Sequence, residues 1–277
     1  MKNKKKDRRI LSTMLMILLV IFFYAPIVYT IIFSFNDSRS LTHFAGFSMQ
    51  WYEKMFNDRT MMEAVFYTIL TAVLATLIST VLGTVTAIGL SKSKKVMKNI
   101  VGQINELPIM NPEIVTAIGL LMLYSAIHVK KGFITMLLAH IMFCTPYVIL
   151  SIVPKLRTLD PNIVDAAMDL GATPWQALIK VIVPQVRPGI VSGALIAFTM
   201  SFDDFVISYF VTGNGVSNIS IIVYTMSKRI NPSINALSTL IIVIISVFLL
   251  LSNVMPAIIQ KKRSKIKKVG EKLNEDL

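Results

Sequence analysis

Residues 64–91 read AVFYTILTAVLATLISTVLGTVTAIGLS, twenty-eight positions without one Asp, Glu, Lys or Arg. A helix needs about 20 such residues to cross roughly 30 Å of hydrocarbon, so this segment asks for a bilayer or a deeply buried core. Three further runs are equally free of charge: Ile10–Asn36, Gly132–Pro154 and Ile230–Gln260. Two more apolar stretches, Leu107–Val129 and Pro188–Thr212, are interrupted only by Glu113 and by the pair Asp203 and Asp204. The pattern predicts an all-α membrane protein with six transmembrane helices. The whole chain agrees: of 277 residues 54% are hydrophobic and 16% charged, with a mean hydropathy of +0.66, which leaves too few polar residues to clothe a soluble core.

The six spans divide the sequence into a basic tail (1–9), a permeating domain (10–260) and a second basic tail (261–277). Lys2, Lys4, Lys5, Lys6, Arg8 and Arg9 precede the first span, as in a secretory signal. The apolar stretch is much longer than the 7–15 residues of a signal core, and no small-residue cleavage site precedes Asn36, so it reads as a retained anchor.

A net charge of +13 raises nucleic acid as a partner. With the N-terminus inside, however, twenty-one Lys and Arg fall in cytoplasmic segments and seven in outer loops. That bias follows the positive-inside rule and predicts both termini in the cytoplasm of a multi-pass cell-membrane protein. The basic tails thus report orientation, with anionic lipid of the bilayer as their natural neighbour and no nucleic acid required. The single Cys144 lies in the fourth span and reads as packing. No phosphate-binding GxxxxGK[ST] loop, HExxH or paired-Cys pattern occurs, and His43, His128 and His140 are scattered. The chain is therefore expected to be no enzyme and to hold no cofactor or metal; any ATP and Mg would be bound by a partner ATPase.

Between the fourth and fifth spans lie 35 residues, Pro154–Pro188, and a loop of that length usually has a task. Asp160 can cap a helix with Pro161 at its first position, continuing through Asn162–Leu170 until Gly171, which a turn of positive φ would require. Thr173 and Pro174 repeat the cap-then-proline pattern for Trp175–Ile182, closed by Pro184. As a DNA-reading pair these helices fail, because Asp165 and Asp169 would face phosphate and the membrane flanks both sides. Small Ala166 and Ala167 on a short exposed helix suit close approach to another protein.

Those residues carry a resemblance. Asp165-Ala166-Ala167, then Gly171 after three residues, then Val181-x-Val183-Pro184 after nine, resembles the Glu-Ala-Ala…Gly…Ile-x-Leu-Pro signature of bacterial ABC importer permeases, with Asp for Glu and Val for Ile and Leu. The resemblance implies a type I ABC importer permease fold, with the helix around Ala166 seated in a cleft of an ATP-hydrolysing subunit. It extends along essentially the whole chain and is strongest to the spermidine/putrescine permeases of PotC type. The stretches that carry it are Ser34–Ser38, Gly46–Tyr52, Pro112–Val115, Ser201–Val206, Phe210–Gly213 and Asn231–Leu237. It implies a second, homologous permease chain of PotB type, two ATPase subunits of PotA type and an extracytoplasmic polyamine-binding protein of PotD type.

The residues themselves give separate support for a polyamine pathway. A polycation with methylene spacers calls for carboxylates and aromatic faces. The only ionisable acids within the spans are Glu113, Asp203 and Asp204, with Glu106 at the cytoplasmic entry, and no Lys or Arg lies inside any span. Asp203, 15 residues beyond Pro188 or about 22 Å along a helix, falls past the midplane. Asp203 and Asp204 are about 100° apart on a helix, so one of them faces the pathway, flanked by Phe202, Phe205 and Tyr209. Glu106 and Glu113 share a face if one helix carries both. Each acid has a plainer reading: one of Asp203 and Asp204 as the cap of a broken helix or a partner contact, Glu113 as a favourable charge in a first helical turn. Trp51 and Tyr52 fit an interfacial belt. The alternatives to polyamine import are an ABC permease for iron, thiamine, phosphonate or another small solute, an ion-coupled transporter working alone, and a membrane enzyme. The second lacks an evident inverted repeat and the third a nucleophile–base pair.

Overall fold

Backbone N–H and C=O groups cannot be left bare in hydrocarbon, which restricts spanning segments to helices or closed barrels. Here the answer is helical. A computed structural model describes residues 2–160, 162–213, 215–227 and 231–247, the side chains of 2–10 and 227 excepted. The chain forms two compact units, one of described residues before Arg59 and after Thr225, the other of Arg59–Thr225.

In the first unit, α1 (Lys2–Ser34) turns its apolar side chains outward: Leu18, Phe22 and Phe23 are each about two-thirds exposed, at 66%, 69% and 67%. The loop after it is tied down by Asn36, a buried amide that donates to the carbonyls of Ser40 (2.9 Å) and His43 (2.8 Å) and accepts from Ala45 N (2.8 Å). Trp51, in α2 (Gln50–Asn57), donates its indole N–H to the Asn36 carbonyl at 2.6 Å and is buried. The indole thereby fastens the loop between α1 and α2.

The second unit is built on α3 (Arg59–Lys92), α6 (Phe133–Arg157) and α9 (Val183–Asp203), which pack mutually. The buried positions of α3 are nearly all small: Ala64, Thr68, Ala72, Ala75, Ser79, Gly83 and Ala87, whereas Phe66, Ile69, Leu77 and Val81 face outward. This inverts the size order of a soluble helix, because lipid solvates large apolar groups and small residues let backbones approach. Val148 of α6 is the point of closest approach. A Cβ added to Gly83 would lie 2.7 Å from Val148 Cβ, and one on Gly193 would lie 3.0 Å from Val148 Cα.

Six spans are not what the described residues contain. Four helices are long and apolar enough to cross: Leu11–Ser34, Arg59–Lys92, Phe133–Arg157 and Pro174–Asp203. A fifth arises only if α4 (Lys95–Met110) and α5 (Glu113–Ala126), bent by 105°, are counted as one broken span. The reason is that absence of charge marks apolarity, not continuity. The stretch 107–129 is broken at Asn111–Pro112, where a proline that cannot donate starts a new helix in a new direction. Of the final stretch, 230–260, only 231–247 are described, with α12 (Ser233–Val247), and the expected span there reaches outside the described residues. The second basic tail, and with it the expected cytoplasmic C-terminus, lies outside the described residues, as do Pro161 and Met1.

The long loop 154–188 also differs in detail. Its first helix, α7 (Ile163–Asp169), is shorter than 162–170, and Asp160 accepts from Asn162 N (2.8 Å) in a turn ahead of it. The second helix does not stop at Pro184. α8 (Pro174–Ala177) runs through a π-helical turn, Leu178–Ile182, directly into α9, so Pro184 stands in the first turn of the long helix. A π turn changes the hydrogen-bond register just before the proline, which lets the chain continue without the missing N–H.

Candidate translocation site and coupling surface

α9 ends at Asp203, and Asp204 leaves helical geometry with ψ 125° before α10 (Val206–Val211) begins. No proline or glycine makes this break. It is held by the Asp204 carboxylate, which accepts from Ser208 N and Ser208 Oγ, both at 2.7 Å, and from Ile207 N at 3.3 Å. Those are donors that the start of α10 cannot satisfy within itself. Asn218 donates to the Asp204 carbonyl at 2.7 Å, anchoring the junction to the chain ahead of α11 (Ile219–Ser227). His140 of α6 closes the set, with Nε2 3.5 Å from Asp204 Oδ2 and 2.9 Å from Ser208 Oγ, and Nδ1 2.7 Å from Ser201 Oγ.

Asp204 is thus buried and spent on the fold, whereas the adjacent Asp203 is exposed and opens on a cavity of about 340 Å³. Of the two aspartates, Asp204 makes the capping bonds and Asp203 carries the exposed carboxylate. The cavity is walled by Glu113 and Thr116 of α5, Phe143 and Tyr147 of α6, and Asp203, the buried Asp204 and Phe205 at the α9–α10 break; no Lys or Arg lines it. Beyond Phe205 the rings of Tyr209 and Tyr224 follow, with centroids 5.5 and 4.7 Å from it. Two helix breaks meet at this cavity. At one, Glu113 occupies the first turn of α5, where the helix end is positive; at the other, Asp203 occupies the last turn of α9, where the helix end is negative. A carboxylate at a negative helix end has two reasons to want a cation.

Not every expected residue joins. Glu106 sits on α4, before the 105° bend, and lines a separate cavity of about 480 Å³ with Lys92, Lys98, Arg157 and Asp160, so it does not share a face with Glu113. Phe202 stacks on Phe198 (5.9 Å) and is not among the lining residues; Tyr209 reaches the cavity only through Phe205. Sequence reasoning missed Tyr147, Tyr224 and, above all, His140. The available signal was the i, i+4 spacing of Asp204 and Ser208, which is that of a carboxylate folding back on a helix start.

On the long loop between α6 and α9, Asp165 and Ala166 are exposed and Ala167 is half-buried against Val164, Ala177 and Ile182. Gly171 has φ +88°, with Gly171 N on the Met168 carbonyl (2.8 Å) and Ala172 N on the Ala167 carbonyl (3.1 Å), the paired bonds of a Schellman stop. Leu170 (90% exposed) and Trp175 (69%) flank Ala166 and add apolar surface that the sequence motif did not single out.

This combination of a helical core, broken helices around an acidic cavity and a short exposed helix on a loop has a match among known proteins. Residues 79–265 match the family of binding-protein-dependent transport system inner membrane components. The chain belongs to that family. It is the non-catalytic permease subunit of an ABC importer, a multi-pass protein of the bacterial inner membrane that works with an ATPase and a binding protein. Among its relatives is the putrescine transport system permease protein PotI of Escherichia coli K12, 37% identical over 229 residues, covering 80% of this chain and 82% of PotI. The spermidine/putrescine transport system permease protein PotC of Haemophilus influenzae is 35% identical over 250 residues, covering 90% and 97%. In fold, this permease superposes on a chain of a bacterial ABC transporter involved in the import of the acidic polysaccharide alginate, with a TM-score of 0.74 at 14% identity, covering 91% and 96%. A chain of the MetNI methionine ABC transporter gives 0.54 at 18% identity, covering 69% and 90%.

Proposed function

We propose that this permease carries polyamines, spermidine or putrescine, through the cavity at the α5 and α9–α10 breaks. The observation that carries the reading is Asp203: an unpartnered carboxylate, at the negative end of a helix, in a cavity with other acids and no base. The names of the relatives point to the same cargo. An ammonium group is received between Asp203 and Glu113, and its methylenes and second ammonium run along Phe205 and the tyrosines beyond. An anionic cargo finds nothing here to bind it.

In this reading the partners are those of a polyamine importer: a homologous second permease of PotB type, two ATPases of PotA type and a PotD-type binding protein. Asp165, Ala166, Ala167, Gly171 and the neighbouring Leu170 and Trp175 form the surface that docks on an ATPase, and closure of the ATPases on ATP moves the packed α3–α6–α9 unit as a body. Pro184, in the first turn of α9, passes that motion into the long helix.

Uptake of labelled spermidine and putrescine by cells expressing the complete importer tests both parts. Asp203→Asn removes a charge-assisted bond of roughly 1.5–3 kcal/mol, so uptake falls about 10-fold or more with the protein still in the membrane; undiminished uptake defeats the cargo site. Ala167→Asp buries a charge against Val164 and Ala177 and blocks docking: co-purification of the ATPase is lost while insertion persists. Retained co-purification with normal uptake defeats the docking surface.

A further inference from the structure

His140 is buried in the membrane unit, 1% exposed, and both of its ring nitrogens are engaged by residues on either side of the α9–α10 break. The direction of each bond can be worked out from the proton inventory. Ser208 has one hydroxyl hydrogen and places it on Asp204 Oδ2 at 2.7 Å. Its oxygen must then accept from His140 Nε2–H at 2.9 Å. Nδ1 is left as an acceptor, and Ser201, on the last turn of α9, can donate to it at 2.7 Å. A neutral ring with its hydrogen on Nε2 completes the chain Ser201–His140–Ser208–Asp204 with no donor or acceptor wasted.

This chain links three pieces of structure: α6 through His140, the end of α9 through Ser201, and the start of α10 through Ser208. Asp203 is the residue between the two anchored ends, one position from Asp204. Rotation of the junction by a single residue exchanges the buried and exposed carboxylates, since adjacent side chains on a helix differ by about 100°. Nothing covalent in the sequence around 203–204 prevents that exchange; there is no proline and no glycine. A fixed hydrogen-bond donor on a neighbouring helix does.

We propose that His140 is a positioning residue for translocation: by fixing Ser201 and the Ser208–Asp204 cap, it holds Asp204 in the cavity wall and selects Asp203 as the exposed carboxylate. The proposal rests on the reading of that cavity as the cargo pathway. Its consequence is that the ring's hydrogen bonds, rather than its volume, govern the transport rate. His140→Phe keeps a ring of similar size and abolishes both bonds. His140→Gln keeps one donor and one acceptor.

Two measurements on the complete importer in proteoliposomes test it. The first is independent of the cargo: a cysteine replaces Asp203 in a Cys144→Ser background, and its rate of reaction with a cationic, water-soluble methanethiosulfonate reagent is followed. With His140 in place the reaction is fast; His140→Phe slows it about 5-fold or more, and His140→Gln restores it to within about 2-fold, the size of effect that one or two buried hydrogen bonds command. The second uses native Asp203 and labelled spermidine. His140→Phe lowers the maximal rate about 10-fold while the half-saturating concentration, governed by delivery, stays within about 2-fold. Should the Phe variant fail to assemble, Ser208→Ala cuts the same chain with a smaller change and is expected to slow labelling likewise. Unchanged labelling in His140→Phe or Ser208→Ala overturns the proposal whatever uptake does, as does equal impairment of the Phe and Gln variants. An unmodified importer that accumulates neither polyamine defeats the cargo reading instead, and the labelling rates still decide the role of His140.

Discussion

Two helix breaks face the same cavity, and they are made by different chemistry. At Asn111–Pro112 the break belongs to the backbone. Pro112 holds φ at −54° and offers no N–H, Asn111 before it is extended with ψ 140°, and the Pro112 carbonyl starts α5 by accepting from Val115 N at 2.9 Å. At Asp203–Asp204 the break belongs to side chains: a buried carboxylate supplies the start of α10 and a histidine on the neighbouring α6 fixes it. The first kind is local and survives loss of its neighbours. The second is a tertiary construction, and it delivers something the first does not, an exposed carboxylate set beside a buried one at a defined angle.

From that contrast, the largest effect of any single change at the breaks belongs to Asp204→Ala. It leaves Ile207 N, Ser208 N and the Ser208 hydroxyl without their acceptor in a buried site, at a cost of about 3 kcal/mol or more for a broken buried network. The purified importer should melt several degrees lower, and spermidine uptake should fall further than in Asp203→Asn, because Asp203 loses its placement as well as its neighbour. A melting temperature and uptake equal to the native importer would mean that the carboxylate does not build the break, and the two breaks would be alike after all.

The same contrast explains what could be read from the sequence. Apolar runs, two of them free of charge and one interrupted only by Asp203 and Asp204, announced the membrane and the three long helices of the second unit, because apolarity is a property of composition. Gly171 announced its own positive φ, and the Asp-Ala-Ala spacing announced the loop helix, because both are local. Pro184 misled: a proline normally ends a helix, but the π turn at Leu178–Ile182 absorbs it, and whether a π turn forms is decided by packing. The break at Asp204 was legible only as one of two readings of the aspartate pair, since Phe202–Val206 contains no residue that disfavours a helix strongly enough to stop one. His140 looked idle for the same reason. Its partners Ser201 and Ser208 are 61 and 68 residues away, and only the fold brings them to the ring. The candidate site was therefore legible as a list of acids and aromatics, and its arrangement was not.

The smallest effect is expected where the sequence was clearest. Pro112→Ala keeps the carbonyl that opens α5, and alanine tolerates φ near −54° without strain. What is lost is the restriction on the unfolded chain, worth roughly 0.4–1 kcal/mol, and the steric bar on helical geometry at Asn111. The bend is then held by what packs against it. Asn105 of α4 donates to the Pro146 carbonyl of α6 at 3.4 Å, and α5 packs on α10. These contacts fix α4 and α5 separately and leave α4 little freedom to run straight on. Uptake by Pro112→Ala should accordingly stay within about 2-fold of native, with a melting temperature lower by no more than a few degrees. A collapse of uptake comparable to that of Asp204→Ala would show that the proline, and not the packing on either side of it, aims Glu113 into the cavity. Both breaks would then be single-residue devices, one made by a missing N–H and the other by a surplus of acceptors.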